Sequence, residues 1–163
     1  MKKIKFYGLG GQGAVTAAKI LSIAVSLYQD EYAITVPAYG HERRGAPVYA
    51  HIIVDDKLID MGVNVGEGCG EDTVVVLNTN SPEMIERYRD TYGFRKILAC
   101  DATACAMRNI GLSIPNSAML GALARTGVVD IDAVIKALND TFGKNGEKNG
   151  GAAKDAYENT REA

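Results

Sequence analysis

The stretch Lys3–Ala18, KIKFYGLGGQGAVTAA, decides the fold, because a strand, a glycine turn and the start of a helix follow one another in it. Lys3–Tyr7 has the pattern of a short strand that leads straight into glycines. Ala14–Tyr28 is apolar almost all round, as expected for a helix wedged against a sheet. The six residues between strand and helix, GLGGQG from Gly8 to Gly13, satisfy the pattern G-x-G-x-x-G in this context.

The glycine turn has two interpretations. Glycines let the backbone turn tightly and let a phosphate approach the unpaired amides of the helix N-terminus. The alternative is a tight turn with close helix–strand packing and no ligand. A dinucleotide dehydrogenase would also carry an acid at the end of the second strand, but that strand ends Val36-Pro37-Ala38, and Asp30 and Glu31 precede it. The sequence therefore disfavours NAD and leaves a phosphate ligand open.

A charged loop, GHERRGAPV at Gly40–Val48, follows the second predicted strand. Arg43 and Arg44 can form bidentate, charge-assisted hydrogen bonds to a phosphate or a carboxylate. Glu42 could orient one arginine or pair with a partner subunit. The alternative is a solvated turn with an internal Glu–Arg pair of little energetic value. The position of the loop, next to a glycine-lined helix start, favours a functional role.

The rest of the chain predicts alternating strands and helices. The predicted strands are Tyr32–Ala38, Val48–Val54, Thr73–Leu77 and Lys96–Cys100, and Leu58-Ile59 is expected to pair back on the second of them as an antiparallel ribbon. Predicted helices begin after the caps Ser81 and Asp101, at Asn116, and after the cap Asp130, and the last of these ends at Gly143. This order predicts a three-layer, Rossmann-like α/β fold whose sheet is mostly parallel with an antiparallel edge ribbon.

Length and composition predict a single domain over residues 1–163, with a polar tail from about residue 144. The tail, KNGEKNGGAAKDAYENTREA, is interrupted by glycines, so a helix there would need a surface to dock on, such as a partner's. The net charge of −2 gives no electrostatic case for nucleic acid. The charge-free run near the N-terminus is broken by glycines, so we expect no membrane span and a cytoplasmic protein.

Neither the cysteines nor any sequence motif predicts a metal centre or a catalytic site within this chain. Cys69, Cys100 and Cys105 form no close C-x-x-C pair, so we expect reduced structural thiols, no cluster and no metal. No G-x-S-x-G, H-E-x-x-H or Walker A lysine is present, and we predict no catalytic residue. If the protein belongs to an enzyme, the reactive cofactor is expected on another subunit.

Three stretches together resemble one known family. They are GLGGQGAVTAA at Gly8–Ala18, GHERRGAPV at Gly40–Val48 and NSAMLGALARTG at Asn116–Gly127. In this order they are similar to the gamma subunit, or gamma domain, of 2-oxoacid:ferredoxin oxidoreductases. The resemblance extends to about Phe142, and the ERRG form of the loop is more like the pyruvate and branched-chain members than the 2-oxoglutarate members.

The resemblance implies a noncatalytic subunit of an enzyme of anaerobic metabolism that converts a 2-oxoacid to an acyl-CoA and reduces ferredoxin. It implies alpha, beta and delta subunits as partners, which would hold thiamine diphosphate, Mg and iron–sulfur clusters, with coenzyme A bound near this chain. Residues that match the family's turn, loop and helix start are Gly10, Gly11, Gln12, Gly13, Glu42, Arg43, Arg44, Gly45 and Asn116. Departures lie in Gly62–Gly70 and beyond Phe142. The alternatives are a free-standing dehydrogenase and a ligand-sensing module.

Overall fold

The computed structural model describes residues 1–9, 13–38, 47–60 and 73–163. Those residues form a six-stranded sheet with helices on both faces. The strands are β1 (Lys2–Leu9), β2 (Tyr32–Ala38), β3 (Pro47–Asp55), β4 (Thr73–Asn78), β5 (Lys96–Cys100) and β6 (Arg161–Glu162). The α-helices are α1 (Ala14–Tyr28), α2 (Pro82–Tyr92), α3 (Ala102–Asn109), α4 (Asn116–Ala124), α5 (Ile131–Phe142) and α6 (Gly146–Asn159).

The sheet has the order β2-β3-β1-β4-β5-β6. Strands β1, β4 and β5 are parallel and form its centre. Strand β3 is antiparallel to both β1 and β2, and β6 is antiparallel to β5. The predicted α/β fold with a parallel core and an antiparallel edge is confirmed. The predicted pairing of Leu58-Ile59 with β3 is wrong, because β1 and β2 already occupy both edges of β3 and residues 58–60 form no strand.

Side chains of the three parallel strands alternate between two cores, as the pleat of a strand requires. One core lies against α1 and α3–α6, and the other lies against α2. The first core receives Ile4, Phe6, Val74, Val76, Leu98 and Cys100, and the second receives Tyr7, Val75, Leu77, Ile97 and Ala99. The sheet is therefore the middle of three layers.

The predicted helix starts are correct, and two of the three predicted caps have the expected hydrogen bond. The Ser81 hydroxyl accepts from the Met84 N–H at 3.4 Å, and the Asp101 carboxylate accepts from the Ala104 N–H at 2.9 Å. Asp130 stands at the N-cap position of α5, but its side chain makes no capping bond. Instead its backbone N–H donates to Oε1 of Gln29, 2.7 Å away, which ties the start of α5 to the end of α1.

The polar tail forms α6, which packs on its own chain against α4, α5 and α3. Ala152, Ala153 and Ala156 are fully buried in this packing. A β-carbon built on Gly121 of α4 would lie 1.8 Å from the carbonyl oxygen of Ala153. The two helix backbones are thus in direct contact. The predicted need for a docking surface is met by the chain's own α3, α4 and α5, because small residues let the helix backbones touch where no large apolar side chain could fit.

We predict that Gly121→Ala lowers the free energy of unfolding by about 2–3 kcal/mol, because its β-carbon must push α4 and α6 apart. Gly150→Ala on α6 is the matched control, since its β-carbon would meet Ile135 at an ordinary 3.5 Å. The control should be neutral or stabilise by up to about 1 kcal/mol, because alanine has the higher helix propensity. Urea unfolding of both variants tests this, and equal effects would contradict the close helix contact.

An ion pair also joins α6 to α3. Arg108 donates from Nη2 and Nε to the two carboxylate oxygens of Asp155, at 2.9 and 3.0 Å. The side-chain amides of Asn109 and Asn159 each donate to the same carboxylate at 2.9 Å. These hydrogen bonds, above all those from Arg108, lower the pKa of Asp155 although its partial burial acts in the opposite direction. The carboxylate therefore stays ionised at neutral pH.

We predict that the contribution of Asp155 to stability is complete above about pH 5 and falls at lower pH. A carboxyl group whose pKa is lower in the folded state stabilises that state above its unfolded pKa of about 4, and loses this contribution as the pH falls through the folded value. Urea unfolding of the wild type and Asp155→Asn between about pH 3 and 7 should show a difference that shrinks with acidification. A difference independent of pH would contradict this role.

Candidate functional site

The sheet has a topological switch point between β1 and β4. Helix α1 follows β1 and packs on one face, whereas α2 follows β4 and packs on the other face. In open α/β sheets the ligand crevice lies outside the carboxyl ends of two such neighbouring parallel strands, so the topology assigns the crevice to the ends of β1 and β4. Strand β1 ends at Leu9 and α1 begins after Gly13 on this side of the sheet.

Two of the predicted site residues, Gly13 and Asn116, meet here. Gly13 is the N-cap residue of α1 and has a φ of 75°, in the left-handed region that favours glycine. A β-carbon on Gly13 would lie 3.1 Å from the β-carbon of Asn116, the first residue of α4. The N-termini of α1 and α4 are thus in contact. The other predicted residues, Gly10, Gly11, Gln12, Glu42, Arg43, Arg44 and Gly45, lie outside the described residues.

A buried polar chain holds Asn116 in place. Asn116 is 5% exposed, and its Oδ1 accepts a hydrogen bond of 2.8 Å from the N–H of Ser117. The Ser117 hydroxyl donates to Oδ1 of Asn149 on α6 at 2.6 Å, and the Asn149 amide donates to the Asn145 carbonyl at 2.9 Å. Since Oδ1 of Asn116 is engaged on its own helix, its amide nitrogen lies toward Gly13, 3.3 Å from the position of the β-carbon built there.

Ser117 and Asn149 were not predicted from the sequence. Both are buried, with 0% and 5% exposure, among small and apolar helix residues. The signal that could have found them is a polar residue at a position where the helix pattern requires burial, since buried polar groups need partners. They link the tail helix α6 to the start of α4.

The meeting helix ends have an unusual charge environment. Neither α1 nor α4 has an acidic residue in its first turn or a side-chain capping bond. Each of the other four α-helices in the described residues has one or both of these features. The positive end of a helix dipole attracts anions, and here two such ends converge without a neutralising carboxylate of their own. The arrangement suits a phosphate or a carboxylate ligand.

A second polar contact, also missed by sequence reasoning, stands at the carboxyl end of β4. The side-chain amide of Asn78 donates to the Thr103 hydroxyl at 2.8 Å, and the Thr103 N–H donates to Oδ1 of Asn78 at 3.2 Å. These bonds fasten the start of α3 to the end of β4. They give this edge of the sheet a fixed shape beside the crevice.

Two of the three cysteines lie in the described residues, where Cys100 and Cys105 are free and buried. Burial is the main cause that raises the pKa of the Cys105 thiol to about 12. It also raises the pKa of the Cys100 thiol. Both thiols are therefore protonated at neutral pH, whereas metals and electrophiles react with the thiolate. In the described ranges there is no group of three or more His, Cys, Asp or Glu that could hold a metal ion. Nor does any helix there have both the length and the apolar character to cross a membrane.

The fold and the crevice define a Rossmann-like α/β domain in which two helix N-termini meet at the switch point. The sequence profile of the family described as pyruvate ferredoxin/flavodoxin oxidoreductase matches residues 3–67 and 55–159. The chain belongs to this family.

Proteins with assigned names are similar to this chain over nearly its whole length. The chain is 43% identical over 178 residues to "Pyruvate synthase subunit PorC" of Methanocaldococcus jannaschii, with 96% of each chain covered. It is 40% identical over 184 residues to "Pyruvate/ketoisovalerate oxidoreductases common subunit gamma" of Pyrococcus abyssi, covering 99% of this chain and 98% of the relative. The crystal structure of pyruvate oxidoreductase subunit PORC from Thermotoga maritima superposes with a TM-score of 0.79 at 31% identity, covering 99% and 98% of the two chains.

We predict that Gly13→Ala destabilises the fold more than Gly127→Ala does. Both glycines have nearly the same φ, 75° and 74°, but a β-carbon meets Asn116 at Gly13 and nothing within 4 Å at Gly127. Gly127→Ala should lower the free energy of unfolding by about 1 kcal/mol through backbone strain alone, and Gly13→Ala by at least about 2 kcal/mol. Chemical denaturation measures both, and equal losses would show that the contact with Asn116 is loose.

Proposed function

We propose that this chain is the noncatalytic gamma subunit of a multisubunit 2-oxoacid:ferredoxin oxidoreductase, which converts pyruvate or a related 2-oxoacid to an acyl-CoA and reduces ferredoxin. Family membership and the nearly full coverage of relatives named as gamma or PorC subunits support this proposal. The single structural observation that carries it is the meeting of the α1 and α4 N-termini at Gly13 and Asn116. A free-standing dehydrogenase is disfavoured, because the second strand lacks the acid that binds a ribose.

The chemistry would be divided between subunits. Alpha, beta and delta subunits would hold thiamine diphosphate, Mg and iron–sulfur clusters and would pass electrons to ferredoxin in the cytoplasm. Thiamine diphosphate would supply the electron sink for decarboxylation. This chain would contribute binding and orientation only, in line with the protonated thiols of Cys100 and Cys105.

We propose that the crevice at Gly13 and Asn116 receives an anionic group of coenzyme A. Two converging helix N-termini without acidic residues favour a phosphate, and the buried amide of Asn116 offers an additional donor beside them. Gly10, Gly11 and Gln12 would complete the backbone cradle. Arg43 and Arg44, with Glu42 and Gly45 in the same loop, would add a bidentate contact to a phosphate or to a carboxylate across a subunit boundary.

Another subunit of the enzyme would select the 2-oxoacid. One relative is named as a subunit common to pyruvate and ketoisovalerate oxidoreductases. A subunit that serves two substrates of different size cannot itself select between them. We therefore propose that this chain handles the part of the reaction that both substrates share, which is the coenzyme A side.

We predict that Arg44→Lys in the assembled enzyme raises the apparent KM for coenzyme A, or weakens subunit association, by about tenfold, equivalent to about 1.4 kcal/mol. Lysine keeps the charge but loses the planar fork needed for a bidentate contact. Decarboxylation measured without coenzyme A should change less. Arg87→Lys, on the exposed side of α2, is the control.

Three measurements on each variant separate the outcomes: the overall acyl-CoA rate, the partial reaction without coenzyme A, and the affinity for the partner subunits. An equal loss in both reactions with unchanged affinity would point to general damage. If Arg44→Lys and Arg44→Ala both give wild-type values in all three measurements, this loop is a solvated turn without a binding role.

A further inference from the structure

A buried lysine lies on the face of the sheet against which α2 packs. Lys5, in the middle of β1, is only 4% exposed, and its Nζ lies 5.6 Å from the centroid of the Phe94 ring. Phe94 belongs to the core against α2, whereas Ile4 and Phe6, the neighbours of Lys5 in β1, belong to the other core. Lysine is almost never buried to this extent without a partner. The position of Lys5 therefore calls for a reason other than packing.

Lys5 has no ionic partner in the described part of the chain. No carboxylate there pairs with it, and its ammonium group donates no hydrogen bond. The Phe94 ring attracts the positive charge, but the ammonium has three N–H donors, which an oxygen acceptor satisfies better than a ring does. Buried charges in proteins are paired, because desolvation of an unpaired charge is costly. The Lys5 ammonium is therefore suited to receive an anion.

A second basic side chain lies beside Lys5. His51 of β3 is directly opposite Lys5 in the antiparallel register of β1 and β3, so the two side chains share one face of the sheet. His51 is half-buried, and its burial, followed by the charge of Lys5, lowers the pKa of the imidazole. At neutral pH the imidazole is therefore uncharged and offers one N–H donor.

The two donors suit a carboxylate. A carboxylate has two acceptor oxygens, and its single negative charge matches the single charge of the Lys5 ammonium. One oxygen would accept from Lys5 and the other from an N–H of His51. A phosphate dianion would leave a negative charge uncompensated beside the aromatic rings of Tyr7 and Phe94, whose centroids are 5.4 Å apart.

This pair of basic residues is separate from the crevice at Gly13 and Asn116. Lys5 lies four residues before Leu9, the last residue of β1, which corresponds to about 13 Å of strand. In addition, α1 and α4 pack on the opposite face of the sheet from Phe94. An anion in the crevice and a carboxylate at Lys5 would therefore be two different groups.

We propose that Lys5 and His51 form a binding site for a carboxylate on the α2 face of the sheet. The carboxylate accepts hydrogen bonds from the Lys5 ammonium and the His51 imidazole, and the Phe94 ring forms an apolar wall of the site. A small molecule or an acidic side chain of a neighbouring subunit supplies the carboxylate, since both present the same group to the same donors. The site does not depend on the proposed function.

The test follows the imidazole signals of the full chain by NMR while acetate is added at pH 7. The chain contains two histidines, and the variant His51→Gln identifies the signals of His51. Acetamide, which has nearly the same shape and no charge, is the control ligand. Lys5→Met removes the charge at nearly constant length, and Lys2→Met makes the same change at an exposed lysine of the same strand.

We expect acetate, but not acetamide, to shift the His51 signals with saturation. Lys5→Met should weaken acetate binding at least about tenfold, because a hydrogen bond to a charged group is lost, whereas Lys2→Met should bind like the wild type. The Tm of Lys5→Met should equal or exceed that of the wild type, since methionine replaces a buried charge without an ionic partner.

Three results would overturn the carboxylate site. The first is the absence of saturable acetate binding to the wild type, and the second is unchanged acetate binding by Lys5→Met. The third is a Tm of Lys5→Met far below that of both the wild type and Lys2→Met, which would assign Lys5 to an ion pair within its own chain.

Binding to the remaining subunits of the oxidoreductase, measured by calorimetry, identifies the source of the carboxylate. If an acidic side chain of a neighbouring subunit supplies it, Lys5→Met should bind those subunits at least about tenfold more weakly, and acetate should compete with them. If a small molecule supplies it, Lys5→Met should bind those subunits like the wild type. A wild-type chain that does not bind the subunits would overturn the proposed function, and saturable acetate binding would still support the carboxylate site.

Discussion

The close approach of Gly13 to Asn116 is the constraint on which the rest of the structure depends. A left-handed residue without a side chain lets α1 begin directly against the start of α4, and no other residue fits there without displacing Asn116. The position of α4 then requires α6, because Ser117 is hydrogen-bonded to Asn149 and Gly121 lies against the Ala153 carbonyl. Gly13 and the tail helix α6, far apart in sequence, therefore stabilise one arrangement of helix N-termini.

This arrangement explains how the chain could serve an enzyme whose reactive cofactor lies on another subunit. Two helix dipoles end in the same crevice and neither is neutralised by an acid in its first turn. The described part of the chain offers a preformed electrostatic environment for an anion, fixed by buried hydrogen bonds rather than by mobile side chains. Such a site binds and orients, and a reactive cofactor on a neighbouring subunit could do the rest.

The sequence predicted those parts of the fold that depend on local rules. Helix starts at Ser81 and Asp101 followed from capping chemistry, and the alternation of strands and helices predicted the three layers. The partners of β3 depend on the whole sheet, so the prediction that Leu58-Ile59 pairs with β3 was wrong. The packing of α6 did not follow from hydrophobic periodicity. Its glycine and alanine residues stabilise it through backbone contact, and a pattern of large apolar residues is therefore absent. Gly13 and Asn116 are in contact, but their roles as site residues, like those of Arg43 and Arg44, stay predictions.

In the proposed function this chain completes the coenzyme A side of an oxidoreductase and is inactive alone. The most direct measurement is the rate of acyl-CoA formation from a 2-oxoacid by the remaining subunits as this chain is added. We expect little acyl-CoA formation without the chain, a rise that saturates at a fixed ratio of chain to partners, and no activity of the chain by itself. Full activity of the partners without it, or nicotinamide-dependent oxidation by the isolated chain, would contradict this function.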